Sequence, residues 1–545
     1  SGERFIDPLS SKTTAAPNEG GHNLGDLYVD DGNSLNWNAN AALYYTRSFN
    51  KHNLNLSVAW EASSGSSDAT NVHYRGFPSG QFHSSNYAAE IYEKPSRTEG
   101  TSRMVSAWAT GNYTWNDIYL ADFSVRFDGS SDFGSKQRWA PFFSGGLGVN
   151  IHNYEFLKGN EIVNKLKVRA SYGRTGKASF PAYAATTMYE ALFDEWYATG
   201  FGAVLKALGN NNLTWEKTDK FNVGIEMQFL NRRLTVDADY YHDKTIDLVN
   251  DVSLSQTSGF SSYKDNMGEV LNQGFELQVR GEVFRNRDWL VALWGNMAHN
   301  KNKILKISDS QRAYNQRVKG FYENIVNEEY GRYNSKYGVP ISQYEEGQSL
   351  TSIWAVKSLG IDPTTGKEIF LNRDGSVSDT WNATQEVAVG NTEPKFNGSI
   401  GFNAAYKQWS LFAAFQYEWG GQEYNQTLVD RVENARIQYQ NVDLRVLTDR
   451  WKQPGDIAQF KDIKNADSAT MPTSRFVQDK AYLRLSALTL SYDFNREWIK
   501  KYLGINMLRL EASTRDFINW NSIRQERGLS YPKSWTVDFS IKAQF

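Results

Sequence analysis

Trp535–Thr536–Val537–Asp538–Phe539–Ser540–Ile541–Lys542–Ala543–Gln544–Phe545, the last eleven residues, alternate without interruption between apolar odd positions and polar even ones. A period of two marks a β-strand with one dry face and one wet face. Eleven residues is about what a tilted strand needs to cross a bilayer, roughly 9–11.

The alternation recurs upstream. Phe221, Val223, Ile225, Met227 and Phe229 interleave with Asn222, Gly224, Glu226 and Gln228, and Leu234, Val236, Ala238 and Tyr240 with Thr235, Asp237 and Asp239. Phe275, Leu277 and Val279 interleave with Glu276, Gln278 and Arg280. Tyr119, Ala121, Phe123, Val125 and Phe127 repeat the pattern. Charge on the wet faces fits a water-filled lumen, with the dry faces against lipid. The fold class that follows is all-β, a transmembrane antiparallel β-barrel.

Composition agrees. At 545 residues the chain is long for one soluble core, yet no Pro/Gly-rich or charged linker divides it. Mean hydropathy is -0.59 and no run of 18 apolar residues occurs, which argues against helical membrane spans. Membrane strands hide their apolar residues at every second position, so low hydropathy is compatible with a barrel. The 30 Tyr, 30 Phe and 17 Trp suit aromatic girdles at the membrane interfaces. With no Cys there is no thiol nucleophile, disulfide or cysteine-ligated metal. A formal charge of -2 gives no electrostatic footprint for nucleic acid.

Along the chain the rhythm is short turn, strand pair, long loop. Short turns are expected at Asn50–Lys51–His52, Trp115–Asn116–Asp117, Leu230–Asn231–Arg232–Arg233 and Lys407–Gln408. Long polar loops are expected over 1–34, 61–101, 174–214, 301–396 and about sixty residues before 482. Long loops on one side and tight turns on the other are the mark of an outer-membrane barrel. Roughly fifteen strands emerge, an odd number, and the opening residues read as a loop between strands. The chain therefore reads as part of a barrel.

Particular stretches then carry a family resemblance. Asp128–Gly129–Ser130–Ser131–Asp132–Phe133–Gly134 with Arg138–Trp139 and Pro141 resembles the SusC/RagA family of TonB-dependent outer-membrane transporters. So do Leu166–Lys167–Val168–Arg169–Ala170–Ser171–Tyr172–Gly173–Arg174–Thr175–Gly176, Asn211–Asn212–Leu213–Thr214–Trp215–Glu216–Lys217–Thr218, Asp237–Ala238–Asp239–Tyr240–Tyr241 and Asn266–Met267–Gly268–Glu269–Val270–Leu271–Asn272–Gln273–Gly274–Phe275–Glu276–Leu277. Asp449–Arg450–Trp451, Pro454–Gly455–Asp456, Ser474–Arg475–Phe476–Val477–Gln478–Asp479–Lys480–Ala481–Tyr482–Leu483–Arg484–Leu485 and Tyr531–Pro532 follow in family order. The resemblance implies a 22-stranded barrel of which residues 1–545 supply a part, with the amino-terminal plug and TonB box absent from this chain. It implies a bacterial outer-membrane importer of large nutrients, oligosaccharides ahead of oligopeptides, and no enzymatic activity. The implied partners are a SusD-like surface lipoprotein as lid, the plug and remaining barrel segment, and the TonB complex acting through that plug. The alternatives are a passive porin-like channel and a non-transporting glycan-binding β-protein at the cell surface.

Site chemistry is sparse. Asp128–Asp132 lacks the ligand spacing of a calcium loop, and the seven His show no paired metal spacing. No cofactor is expected. Asp237 and Asp239 share one strand face like a glycosidase pair, but alternate charges on a lumen wall explain them more simply. Trp215, Trp289, Trp294, Trp409, Trp419 and Trp535 sit at strand ends and read as interface anchors. The loop aromatics Tyr74, Phe77, Phe82, Trp354, Tyr424 and Trp451 are the candidate contacts for ligand or lid.

Overall fold

The structure is a computed structural model and describes residues 2–8, 25–134, 137–177, 185–197, 200–210, 212–253, 262–266, 268–327, 338–435, 442–465, 470–494, 496–523 and 535–544. Alternating segments become the strands of one sheet: β1 (Asp26–Phe49), β2 (His52–Arg75), β3 (Ser96–Trp115), β4 (Tyr119–Ser130) and β5 (Trp139–Asn150). They continue as β6 (Val163–Lys177), β7 (Glu216–Phe229), β8 (Leu234–Ile246), β9 (Glu269–Arg285) and β10 (Trp289–Lys306). The series ends with β11 (Phe396–Tyr406), β12 (Trp409–Tyr424), β13 (Val477–Asp493), β14 (Met507–Thr514) and β15 (Val537–Gln544).

Each strand pairs antiparallel with the next in sequence, a continuous meander. A short strand, Gly2–Ile6, pairs with the start of β1. Among the described residues β1 and β15 do not pair with each other, so the sheet presents two open edges.

The tight turns fall where the sequence placed them. Asn50, Asn116, Asp117 and Lys407 take φ of 50°, 54°, 57° and 50°, the left-handed geometry that matches a hairpin turn to the twist of its strands. Leu230, Asn231 and Arg232 do the same at 57°, 55° and 66°. For Leu230 this is an uncommon conformation, held by its amide donating to Ile162 O at 2.8 Å.

The long loops are shorter than expected. The segment 61–101 is largely strand: β2 runs to Arg75 and β3 starts at Ser96, paired from Asn71↔Ser96 to His52↔Trp115. Once a strand rises above the membrane, both faces meet water and the apolar alternation disappears while the backbone ladder continues. Likewise the opening loop yields to Gly2–Ile6 and the first turns of β1, and 174–214 holds a hairpin of Met188–Tyr197 with Gly200–Ala207.

The register separates the faces. Val537, Phe539 and Ile541 are 55%, 81% and 72% exposed and point outward, opposite Thr514, Ala512 and Leu510. Followed across the sheet, that face carries Trp289, Tyr406, Trp409 and Tyr492 side by side at the turn end. Their rings meet at 4.4 Å (Trp289–Tyr406) and 4.8 Å (Trp409–Tyr492). At the loop end, Phe275, His299 and Phe396 cluster with centroids 5.3–6.4 Å apart, and Trp419 pairs with Phe396. Trp409 and Trp419 lie ten residues apart on β12. At about 3.4 Å per residue and a tilt near 40°, the two girdles stand roughly 25 Å apart, the height of a barrel's apolar band.

Two of the expected anchors are elsewhere. Trp215 is 4% exposed and stacks on Phe133 at 4.2 Å, its Nε1 donating to Arg138 O at 3.4 Å. Trp294 stands on the inner face against Phe412 at 6.2 Å. A strand-end position says nothing about which face a side chain takes; parity along the strand does.

Candidate ligand-binding site

Above the loop-end girdle, the segments between β10 and β11 and between β12 and β13 fold into one body. Helix α1 (Asp309–Asn327) supplies Val318 and Tyr322 to a core with Ala383 and Met471. The Tyr322 hydroxyl donates to Val339 O at 2.8 Å and accepts from Ile341 N at 3.1 Å; burial holds it far above the usual phenol range. A second core gathers Leu428, Val429, Val432, Val446, Phe460 and Phe476. Strand Ser352–Ala355 pairs with Val387–Asn391, and Lys357–Ile361 with Glu368–Leu371. From sequence alone these stretches read as unpaired loop, because the elements are short and key partners lie far apart in the chain: Val318 and Tyr322 meet Met471, and Val356 bridges Thr473.

The two loop segments are joined by polar contacts. Trp381 Nε1 donates to Pro472 O at 2.9 Å, and Val356 bridges Thr473 in parallel. Arg475 reaches both Glu368 Oε2 at 2.8 Å and Glu433 Oε1 at 2.6 Å. Arg450 donates to the carbonyls of Val432, Glu433 and Lys461. Lys461, deep in the same cluster, is pushed down to about 8 by burial, with Glu433 opposing. Glu386 lies 1% exposed beside the Gln343 amide, and burial pushes its carboxyl up to about 8.

Among the described residues, two cavities open between this body and the wall. The larger, about 910 Å³, lies where β10 outruns β11. The last wall pair is Ala298↔Asn397; beyond it Ile304 exchanges backbone bonds of 2.8 Å with Gly347 and Gln348 instead. His299, Asn300 and Asn302 form one side of the cavity, and Trp419, Gln422 and Lys480 the other. Glu393 is held by Asn300 and by the Asn302 amide. The stem of Lys395 crosses Gly420, which has φ +81° and where a Cβ would come within 2.9 Å of it. The smaller cavity, about 420 Å³, is lined by Ile341, Leu350, Ile353, Trp354, Tyr424 and Gln426, among others, and shares Ser352 with the larger.

Of the sequence candidates, Trp354 and Tyr424 meet in the smaller cavity. Trp451 is packed into the body, its Nε1 donating to Pro363 O at 2.8 Å. Tyr74 ends β2 against Leu27 and Ile91, Phe77 is buried edge-on to Phe5 at 5.1 Å, and Phe82 is exposed beside Tyr87 at 5.0 Å. The six therefore fall into three places rather than one. Gln426, Leu350 and the polar lining of the larger cavity were not picked out, since isolated amides and aliphatics in a loop carry no periodic signal. Among the described residues no group of three or more His, Asp or Glu could hold a metal ion.

The family model for the β-barrel of TonB-dependent receptor-like proteins matches residues 9–513. The chain belongs to that family. Its SusC/RagA branch is the one the motifs resemble: TonB-dependent receptor SusC of Bacteroides thetaiotaomicron is 25% identical over 95% of this chain and 52% of its own length. TonB-dependent receptor P3 of Formosa agariphila is 26% identical over 91% of this chain and 49% of its own length. The chain thus spans about half the length of the curated relatives it matches. The RagAB peptide transporter has the same fold, with a TM-score of 0.77 at 23% identity, over 92% of this chain and 53% of that one. As a TonB-dependent receptor barrel the protein resides in the outer membrane, with the apolar outer face between the girdles in lipid.

Proposed function

We propose that this chain forms wall and outer loops of a TonB-energised importer of large nutrients across the outer membrane. The observation that carries the reading is the asymmetry of the sheet: one end closes in tight turns, the other rises into a cored loop body with two cavities beside the wall. A passive pore needs a lumen; it does not need a folded, cavity-bearing body over one end. The chain performs no chemistry on the cargo. An upstream plug that gates the lumen, further strands that meet the open edges of β1 and β15, and a SusD-like lipoprotein over the loop body complete the machine. The names of the relatives support this arrangement, since SusC is called a TonB-dependent receptor and RagAB a peptide transporter. Resemblance alone ranks oligosaccharides ahead of oligopeptides.

Uptake of fluorescent oligosaccharides and oligopeptides by cells making the natural full-length protein tests the proposal. Accumulation that a protonophore abolishes is expected. Accumulation that survives the protonophore would replace the importer with a passive channel.

A further inference from the structure

The turn end of the sheet carries a feature that neither the wall nor the cargo route uses. Between β13 and β14 the chain forms a short helix, α2 (Arg496–Leu503), which Gly504 ends at φ +68°. Ile499 is 0% exposed and seats the helix, which packs against β14. Trp498 and Tyr502, four residues apart, share a face and stay 51% and 63% exposed.

That face continues the outer aromatic girdle. From Trp409 the rings run to Tyr492 at 4.8 Å, to Phe494 at 5.0 Å, to Trp498 at 6.5 Å and to Tyr502 at 5.8 Å, each measured from the ring before. The row starts at the edge of the apolar band and leaves it along the helix. Cations accompany it. Lys501 Nζ stands 5.3 Å over the Tyr502 ring, and Lys407 Nζ stands 5.3 Å over Tyr406, the neighbour of Trp289. Lys407, Lys500 and Lys501 are all exposed. Asp493, at the end of β13, is taken by Arg509 at 2.6 and 2.7 Å. Glu497, the acid of the helix, lies in its first turn, away from the two lysines of the last. Lysines in a last turn also suit the helix dipole, but that accounts neither for the exposed rings beside them nor for Lys407 on another hairpin.

We infer that α2 is a foot on the inner leaflet of the outer membrane, where Lys407, Lys500 and Lys501 hold the headgroups of anionic phospholipid. The tight-turn end of a barrel faces the periplasm, so the leaflet at this level is the inner one. Trp498 and Tyr502 set their apolar bodies at the acyl boundary, and the lysine stems carry their ammonium groups to the lipid phosphates. The unbroken run of rings from the girdle selects lipid over a protein partner. A zwitterionic headgroup brings an ammonium of its own, which the lysines repel, so a headgroup of net negative charge fits best. The inference is independent of which cargo the importer carries.

Native mass spectrometry of the natural full-length protein, titrated in neutral detergent with phosphatidylglycerol or phosphatidylcholine, tests this. Phosphatidylglycerol is expected to bind the more tightly. Lys500→Gln with Lys501→Gln is expected to weaken it roughly thirtyfold and to leave phosphatidylcholine unchanged. Arg232→Gln with Arg233→Gln removes the same charge from another turn at that end and is expected to change little. Gel migration after heating checks that both double variants fold, and Lys407→Gln alone, expected to weaken phosphatidylglycerol about fivefold, is a second reading of the same site. Equal binding of the two lipids overturns the inference, as does an equal loss in the two double variants, which reduces the effect to net charge. No phosphatidylglycerol binding overturns it as well and leaves the exposed face of α2 to a periplasmic protein.

Discussion

Arg169 on β6 grips Asp239 on β8 through Nη2 at 2.6 and 2.8 Å, although β7 lies between them. The crossing is possible because β7 puts Gly224 at that height, in register with both. A Cβ there would stand 2.3 Å from Asp239 Oδ1 and 2.8 Å from Arg169 Cζ. Glu226, two residues along, gathers Lys165 at 2.5 Å, Lys167 at 3.3 Å and Arg169 at 3.3 Å on the same face. Gly224→Ala is expected to spread the pair and cost roughly 1–3 kcal/mol, mostly from overpacking. The pair itself is partly exposed and contributes about 1 kcal/mol at most. The temperature at which the barrel loses its compact migration on a gel, compared with wild type, measures this.

The wall was legible because its physics is local. Lipid on one side and water on the other impose a period of two, and Asn50, Asn116 and Lys407 supply the turn chemistry. That logic stops at the girdle. Past it Glu61–Ala62–Ser63–Ser64–Gly65–Ser66–Ser67–Asp68 is still strand but shows no apolar alternation of its own; its outward Ser64 and Ser66 lie opposite Trp37 and Leu35, which carry the apolar row on β1. The loop body was illegible for another reason: Glu368, Glu433 and Arg475 meet only after the fold is built. The smaller cavity was half legible. Its aromatics Trp354 and Tyr424 stand out by type, whereas Gln426, one amide among many in a polar loop, carries no signal of its own.

Face assignment at the terminal strand can be tested directly. Phe539 lies midway along the outward row of β15, opposite Ala512. Ser540 faces the other way, opposite Glu511, which already meets Lys542 at 3.3 Å. Phe539→Arg is expected to cost about 2–4 kcal/mol, the penalty of a cation near the bilayer midplane, while Ser540→Arg is expected to be close to neutral. The folded fraction recovered from outer membranes separates the two. Equal losses would reverse the assignment of faces.

Glu386 makes the stability of the loop body pH-dependent. Burial lifts its pKa from 4.5 to about 8, so between those values the folded body holds a proton that the unfolded chain releases. The stability contributed by this group is full below about pH 4.5 and is lost as pH rises to about 8. Its Oε1 has no partner among the described residues, which suits a neutral carboxyl better than a charged one. Glu386→Gln is expected to leave the body as stable near pH 5 and more stable near pH 8. Protease resistance of the loops across that range reads the difference; the same pH slope in wild type and Glu386→Gln would rule this group out as its source.

Arg475 is expected to be the costliest single loss in the loop body. Its side chain is 11% exposed and its partners Glu368 and Glu433 are 9% and 0% exposed, so all three charges have left water. Burial alone would pull the guanidinium pKa down, but Glu433 and Glu368 reverse this and raise it above the ordinary value. Replacing such an ionic cluster wholesale can be harmless, whereas removing one member strands the others. Arg475→Met is therefore expected to cost about 3–5 kcal/mol, and adding Glu433→Gln and Glu368→Gln to recover much of it. The loss should be confined to the body, because the wall's ladder does not depend on this contact. Amide exchange should accelerate at Lys357–Ile361 and Glu368–Leu371 and around Glu433 while β7 and β8 stay protected. If exchange rises equally in those wall strands, the loop body and the barrel unfold as one unit and the two-layer account of this chain fails.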